Sequence, residues 1–521
     1  MTNSQTNTVP NTTSRLNAFT GIARRKNRFR LLPANGDGST LSLDFTTGVL
    51  DPRLSFSRST GGSYVHSDGL LYGFDTSSSS NTIGTGSKTF TLSATAGVNR
   101  RYAVGDLIIA SSGANNMSGS VTSYDPTTQA LVCSMASSSG SGTFTTWIIG
   151  NRQPRFDHDP TTRAPRGLLV EGTAVNLLCW SESFATSGGT TNWTYNSNSG
   201  ATVTETNPAG GSSSFQFRET SGSGPLSQTV TTVSTSPYTF SFWVRASVFN
   251  SVTTTQIQVG IFTTAFQTVS ISKISGPGSV SGTGLCTVSG LSLTEWTKVQ
   301  VTTTGNIGVT SASVMLYAQT ASFELDRSLL IWGAQFEAGS GASSYIPTGA
   351  SQATRNADYC VLPTSSFITG TPYPNTLFVD CIPATANTGF PNLVRLFDRT
   401  AGGTFGYGNE IYYYTAATMS VNRKVSASTN SDRTMVTGFA YNTRHKFATA
   451  IDSTSFIGSR DGVTDSGATT APAALSSVST HLGIGCNGDS SPANVMNGWM
   501  RQLKFWPTAL PQATLNSITT L

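Results

Sequence analysis

Apolar positions along this chain recur every second residue. In YTFSFWV, Tyr238, Phe240, Phe242 and Val244 fall on one side of an extended strand and Trp243 on the other. SFQFRE, LSQTVTT, TQIQVGIF, QTVSISKI, WTKVQVTTT and SVMLYAQT alternate in the same way between Trp193 and Ala338. Seven or more such strands in roughly 170 residues predict a two-sheet sandwich. Nearer the start, Leu41, Leu43 and Phe45 alternate, as do Leu54 and Phe56, between the turn signals TTG, DP, TGG and SDG.

The same pattern divides the rest of the chain. KTFTLSA, GDLIIASS, MSGSVTSYDPTTQALVCSMA and GTFTTWIIG form a small β module over residues 80–149, with a hairpin turning at Asp125-Pro126. Flanked by Asp75 and Asn151, it reads as an insertion in a larger element. From Asn375 onward NTLFVDCI, NLVRLFD, EIYYYTA, MSVNRKV, KFATAID, TSFIGSRDG, HLGIGC and MRQLKFWP are strand candidates, with Trp506 as a core anchor. Arg460-Asp461-Gly462 reads as an exposed hairpin turn, and PQATLNSITTL as a short closing helix or an extended edge. The expected fold is all-β and multidomain, built of antiparallel β-sandwiches with a small inserted β module. Its divisions are 1–40 (arm), 41–79 plus 150–167 (short-strand linking region), 80–149 (insert), 168–349 (sandwich), 350–374 (linker) and 375–521 (final sandwich).

Composition narrows the picture. Hydrophobic residues make up 37% of 521, enough for several β cores, and the length predicts roughly three or four domains. The net charge of +5 is diffuse and does not mark a nucleic-acid binder. It concentrates only in ARRKNRFR, where Arg24, Arg25, Lys26, Arg28 and Arg30 suit docking to an acidic partner surface. Cys133, Cys179, Cys286, Cys360, Cys381 and Cys486 lack close spacing and are expected as buried free thiols. The polar N-terminus predicts no signal peptide, and no apolar run is long enough for a membrane helix.

Charge is scarce, at 11%, yet it gathers in NRQPRFDHDPTTRAPRGLLVEG. An extended chain puts Asp157 and Asp159 on one face and His158 on the other. The neighbouring arginines would lower the carboxyl pKa values, whereas a general acid needs the opposite. Arg152, Arg155, Asp157, Asp159, Arg163, Arg166 and Glu171 are therefore expected as a structural clamp of arginine–carboxylate pairs. Structural calcium on Asp157 and Asp159 is the alternative and would need at least four further oxygens; no other metal or cofactor is expected. For catalysis, Glu171, Glu182, Glu324, Glu337, Asp398 and Glu410 can be named, but nothing pairs them across a sugar cleft. No catalytic residue is assigned. For ligand binding, GYGNEIYYYTAA offers Tyr407, Asn409, Glu410, Tyr412, Tyr413 and Tyr414, with Arg460 and Asp461 on the hairpin tip. The competing reading makes these tyrosines core and sheet-surface residues.

Several phrases carry a resemblance. GVLDPRLSFSRSTGGSYVHSDGLL, QPRFDHDPTTRAPRGLLVEG, NLLCWSESF and IWGAQFEAGSGASSYIPTGASQATRNAD resemble the wording of tailed-bacteriophage virion proteins of tail-fibre, tail or head-decoration type. The resemblance covers roughly residues 40–521. It implies a carbohydrate-binding-like sandwich over 168–349, ending at Trp332, Gln335, Glu337, Tyr345, Pro347 and Arg355, and a concanavalin A- or laminin G-like jelly roll at the end. The implied function is a virion structural protein that adheres to host-surface glycans. Its partners would be other virion proteins (capsid, portal or tail) and copies of itself as a trimer or dimer, with neither nucleic acid nor membrane insertion. It would be made in the host cytoplasm and reside on the head or tail surface. A ligand-free capsid cement protein and a host-polysaccharide hydrolase are the alternatives.

Overall fold

The computed structural model describes residues 36–94, 100–184, 193–194, 199–219, 224–247, 255–273, 279–318, 327–368, 374–384, 391–397, 408–414, 418–424, 430–436, 439–465, 479–488 and 494–521. Arg24, Arg25, Lys26, Arg28, Arg30, Glu324, Asp398 and Tyr407 lie outside them. The fold is all-β and multidomain, with antiparallel strands throughout its sheets and one α-helix, Gln512–Thr519, among the described residues.

The C-terminal sandwich is assembled from three separate stretches of chain. One sheet runs Arg155–His158, Pro165–Val170, Gly498–Trp506, Asn375–Pro383, His445–Ile451, Phe456–Arg460 and Val463–Thr464. Leu41–Asp44 also pairs with Gly498–Trp506, Leu41 facing Phe505 and Asp44 facing Gln502. The opposing sheet runs Ser55–Ser57, Tyr359–Pro363, His481–Ile484, Asn392–Phe397, Gly408–Tyr414, Thr418–Lys424 and Asn430–Val436. Alternation explains why the early strands belong here: Leu41, Leu43, Phe45 and Leu54 are buried beside Leu168, Val170, Leu377, Val379, Leu503 and Phe505 in one core. The stretches expected as a linking region and a linker thus supply sheet strands. Cys360, Val361 and Leu362, in the expected linker, are buried strand residues. The closing helix packs Leu515 against Phe378, Ala448, Ala450 and Trp506 on the outer face of the first sheet.

The middle sandwich interrupts this host. It packs the sheet Ser199–Val203, Ser214–Glu219, Arg327–Ala338, Tyr238–Ala246, Thr297–Thr303, Val269–Lys273 on the sheet Leu226–Thr231, Ser311–Tyr317, Thr255–Phe262, Cys286–Leu291, Ser279–Ser281. Tyr238, Phe240, Phe242 and Val244 enter its core, whereas Trp243 turns to the outer face and joins Trp332, Tyr345 and Leu71. A bulge between Ser241 and Trp243 accommodates this ring. Opposite it Gly333 has φ +65°, and a Cβ there would lie 2.8 Å from the Trp243 ring. The incoming strand Ala174–Asn176 pairs with the outgoing Ala353–Arg355, so the module leaves and rejoins its host at one point.

The insert repeats that logic. Its sheet runs Phe74–Ser77, Trp147–Asn151, Leu107–Ser112, Asn115–Asp125, Ala130–Ser139, Gly86–Thr91 around a core of Phe90, Ile108, Met117, Leu131, Trp147 and Ile149. A bridge between Ser77 and Leu92 brings the sheet's first and last strands together. Its own ends are neighbours too, since Phe74 faces Gly150. All six cysteines are buried and free.

Candidate functional site

The charged stretch folds into a hairpin, Arg155–His158 against Pro165–Val170, with Asp157 opposite Gly167. Alternation sends Arg155 and Asp157 inward, while a bulge after Asp157 displaces His158 and puts Asp159 into the turn. Asp159 Oδ1 accepts from Thr161 N at 2.9 Å and Thr162 N at 2.8 Å, and Oδ2 meets Arg166 Nη2 at 2.8 Å. Burial pulls against ionisation of Asp159, but these donors outweigh it and hold the carboxyl at about 2. Arg166 also lies 4.7 Å over the Trp499 ring. Among the described residues Asp157 takes no direct arginine partner. It is buried, accepts from Val65 N at 2.5 Å and Trp499 Nε1 at 2.7 Å, and burial raises its pKa. Arg152 Nε donates to Arg58 O at 2.7 Å, and the Arg163 guanidinium packs on Gly69. Because N–H donors occupy the oxygens of Asp157 and Asp159, these two carboxylates are not aimed at one point as calcium would require. No three metal-ligating side chains converge among the described residues.

Arg155 and Glu171 belong to a larger network. Arg155 bonds Glu171 Oε2 through Nη1 and Asp358 Oδ2 through Nη2, each at 2.5 Å. Arg58 Nη1 meets Asp358 Oδ1 at 2.7 Å, and Arg355 Nη1 meets Glu171 Oε2 at 2.5 Å. Glu171 Oε1 accepts from Ser344 N at 2.7 Å, and Asp358 Oδ2 from Glu171 N at 2.9 Å. None of the five side chains is more than 6% exposed. Burial would push both carboxyls up, but Arg355 and Arg155 hold Glu171 well below its ordinary value, and Arg155, Arg58 and Arg355 hold Asp358 down. Burial draws the Arg58 guanidinium down to about 10, still charged at neutral pH. The hub therefore fixes structure and has no group poised for proton transfer. It sits where the modules leave their host: Arg58 also donates to Asn151 O at the end of the insert, Ser344 belongs to the outgoing side of the middle sandwich, and Arg355 bonds Gly172 O.

A cleft with about 70 Å³ of internal space lies between the insert and the middle sandwich. Asp75, Arg100 and Tyr72 line one side, Glu182, Trp332 and Tyr345 the other. Arg100 Nε meets Asp75 Oδ1 at 2.5 Å, its other guanidinium hydrogen bonds go to the carbonyls of Phe74 and Ala209, it lies 5.1 Å over the Tyr72 ring, and Tyr102 OH donates to Asp75 Oδ2 at 2.9 Å. Burial opposes the Arg100 charge and Asp75 more than offsets it. Burial outweighs the weak pull of the Arg100 charge across the cleft on Glu182. Burial pushes its carboxyl up to about 7, and its one hydrogen bond among the described residues is from Tyr345 OH to Oε1 at 3.0 Å. This is a protonatable group facing a polar cleft.

The tyrosine run lies elsewhere, on the second sheet of the C-terminal sandwich. Tyr413 is fully buried and its hydroxyl donates to Met496 O; Tyr412 is 6% exposed. Neither ring presents an open stacking face, because both sides of this strand are covered. Asn409 is buried, Glu410 meets Arg395 at 3.5 Å, and Tyr414 closes the strand. Arg460 and Asp461 do form a hairpin turn, but Asp461 faces inward, accepting from His445 Nδ1 at 2.8 Å and Lys446 N at 2.9 Å. The terminal helix covers this tip, with Gly462 N donating to Thr519 Oγ1 at 3.1 Å. Sequence reasoning missed Arg58, Asp358 and Arg100. Arg58 pairs with Asp358 300 positions away and Arg100 with Asp75 25 positions away, so only the non-local fold reveals these partners.

No protein-family model and no curated protein matches the chain. Solved structures that match in part include the CBM40 of a Ruminococcus gnavus IT-sialidase, at 12% identity and TM-score 0.26 over 28% of this chain and 83% of that one. A NanB sialidase from Streptococcus pneumoniae matches at 12% identity and TM-score 0.26, over 31% of this chain and 26% of its own. A heptameric SAP-like pentraxin from Limulus polyphemus matches at 14% identity and TM-score 0.22, over 28% and 69%. These three come from a CBM40, a sialidase and a pentraxin.

Proposed function

We propose that the protein is a structural component of a tailed-phage virion, of fibre or decoration type, that projects lectin-like sandwiches for adhesion to host-surface glycans. The hub carries this reading: five buried ionised side chains tie the insert, the middle sandwich and their host together, as suits a protein that must hold binding modules at a fixed spacing. The resemblance of several phrases to phage virion proteins supports this place on the particle, where other virion proteins and further copies of the chain would be its partners. Electron cryo-microscopy of intact particles, with mass spectrometry of the purified virion, tests this. Density fitting the nested three-module body on the head or tail surface is the expected result, and absence of the chain from purified particles would sink the proposal. Capture of bacterial surface polysaccharides on an array tests the adhesive half, and no saturable capture would favour a cement protein.

A second reading, a host-polysaccharide hydrolase, draws on Glu182 alone: a carboxyl near 7 in a polar cleft is suited to general-acid work. The adjacent Asp75 has both oxygens engaged by Arg100 and Tyr102, which argues against it as the partner carboxylate. Sustained reducing-end release that vanishes in Glu182→Gln would establish the hydrolase.

A further inference from the structure

We infer that the cleft between the insert and the middle sandwich binds the terminal ring of a neutral glycan, with Glu182 reading its hydroxyls. The inference deepens the adhesive reading and rests on it. Three observations carry it. First, the cleft presents hydrogen-bonding groups that no protein partner among the described residues occupies. Glu182 Oε2 and the hydroxyls of Thr76, Ser93 and Ser213 line or face the space without a hydrogen bond among the described residues. A ligand rich in hydroxyls can both donate to the carboxyl oxygen and accept from these side chains.

Second, the charge balance selects against acids. Arg100, the cation of the cleft wall, is neutralised by Asp75 and directed at two backbone carbonyls. A carboxylated sugar would meet Glu182 and Asp75, while Arg100, the one cation among the described lining residues, is already engaged, and an unpaired charge in so buried a place is expensive. A neutral sugar meets no such penalty.

Third, the size and shape suit the end of a chain. A volume of about 70 Å³ accommodates on the order of five waters, which matches a hydroxymethyl group and adjacent ring hydroxyls and is too small for an internal oligosaccharide segment. Trp332 and Tyr345 supply an apolar back wall, both nearly fully buried. The floor is rigid, since Asn207 Oδ1 accepts from Ala209 N and Gly211 N, each at 3.0 Å. A rigid polar pocket with an apolar wall loses little entropy on binding.

Saturation-transfer NMR on the full chain tests this with the methyl glycosides of glucose, galactose, mannose and N-acetylglucosamine, and with glucuronic acid as the charged probe. At least one neutral glycoside should give a saturable signal, weakened tenfold or more by Glu182→Gln and by Ser213→Trp, while glucuronic acid stays silent. Ser213 lines the cleft and is exposed, so Ser213→Trp puts a bulky ring into the cleft from a solvent-facing position and decides the matter if Glu182→Gln is poorly folded. The inference is overturned if none of the four glycosides binds, if Ser213→Trp binds like the wild type, or if glucuronic acid binds as well as the neutral sugars. Polysaccharide capture by the same proteins separates the two levels. Capture retained by both variants leaves the adhesive reading standing and removes the cleft from it, whereas a glycoside signal without any polysaccharide capture supports the cleft and refutes adhesion.

Discussion

Glu171 keeps its charge in a place that excludes water because three nitrogen donors reach it at 2.7 Å or less. Removing one member of such a network strands the others, so Glu171→Gln is expected to destabilise the protein by about 3–5 kcal/mol at pH 7 in urea titrations. The folded-state pKa of Glu171 lies below its unfolded value of 4.5. Its stabilisation is therefore fully present above that pH and fades as pH falls through the folded value, and the gap between variant and wild type should close in acid. Equal urea midpoints at pH 7 would contradict the hub's role. Glu182 behaves in the opposite sense. Its folded value near 7 exceeds the unfolded 4.5, so the native state binds the extra proton and loses stability as pH rises between them. Glu182→Gln should therefore gain on the wild type across that window, by at most about 3 kcal/mol above pH 7. Parallel stability-against-pH curves for the two proteins would disprove the shift. Asp159 and Arg166 are more than a quarter exposed, so Asp159→Ala should cost only about 1 kcal/mol, mostly lost turn capping.

Strand alternation was the most legible part of the sequence at the scale of elements, because the side-chain period of an extended chain is a local property. Tyr238, Phe240, Phe242 and Val244 do face the core and Trp243 does face away. The same rule alone could not say what covers the second face, which is why Tyr412 and Tyr413 both end up buried. The hub was half legible. Arg155 and Glu171 stand in one charged stretch, whereas Arg58 and Asp358 reach it from 93 or more positions away through the fold. The Glu182 cleft was not legible as a site, since its walls come from two modules. One element prediction follows from the bulge at Trp243. Gly333→Ala would place a methyl against that ring in a left-handed backbone conformation, and should cost about 2 kcal/mol or more in thermal melts. A melt unchanged from the wild type would mean that the ring can move aside.

Both inner modules leave and return to the host at paired strands, at Phe74 with Gly150 and at Ala174 with Arg355. Replacing residues 177–352 by a short Asn-Gly turn should therefore leave a cooperatively folding host, weakened by the loss of the Ser344 contact to Glu171. A single unfolding transition, with the host strands still protected in hydrogen exchange, is the expected outcome. A wholly unprotected remainder would show that the middle sandwich is needed for the host to fold. The pairing of Leu41–Asp44 with the last strand has a further consequence, for biosynthesis. Asp44 must wait for Gln502, 458 positions later, which at ribosomal speed is roughly 20–90 s. The insert and then the middle sandwich can close while the chain is still growing. The opening strand, with Leu41, Leu43 and Phe45, meanwhile has no mate, and newly made chains should depend on chaperones until the final segment emerges.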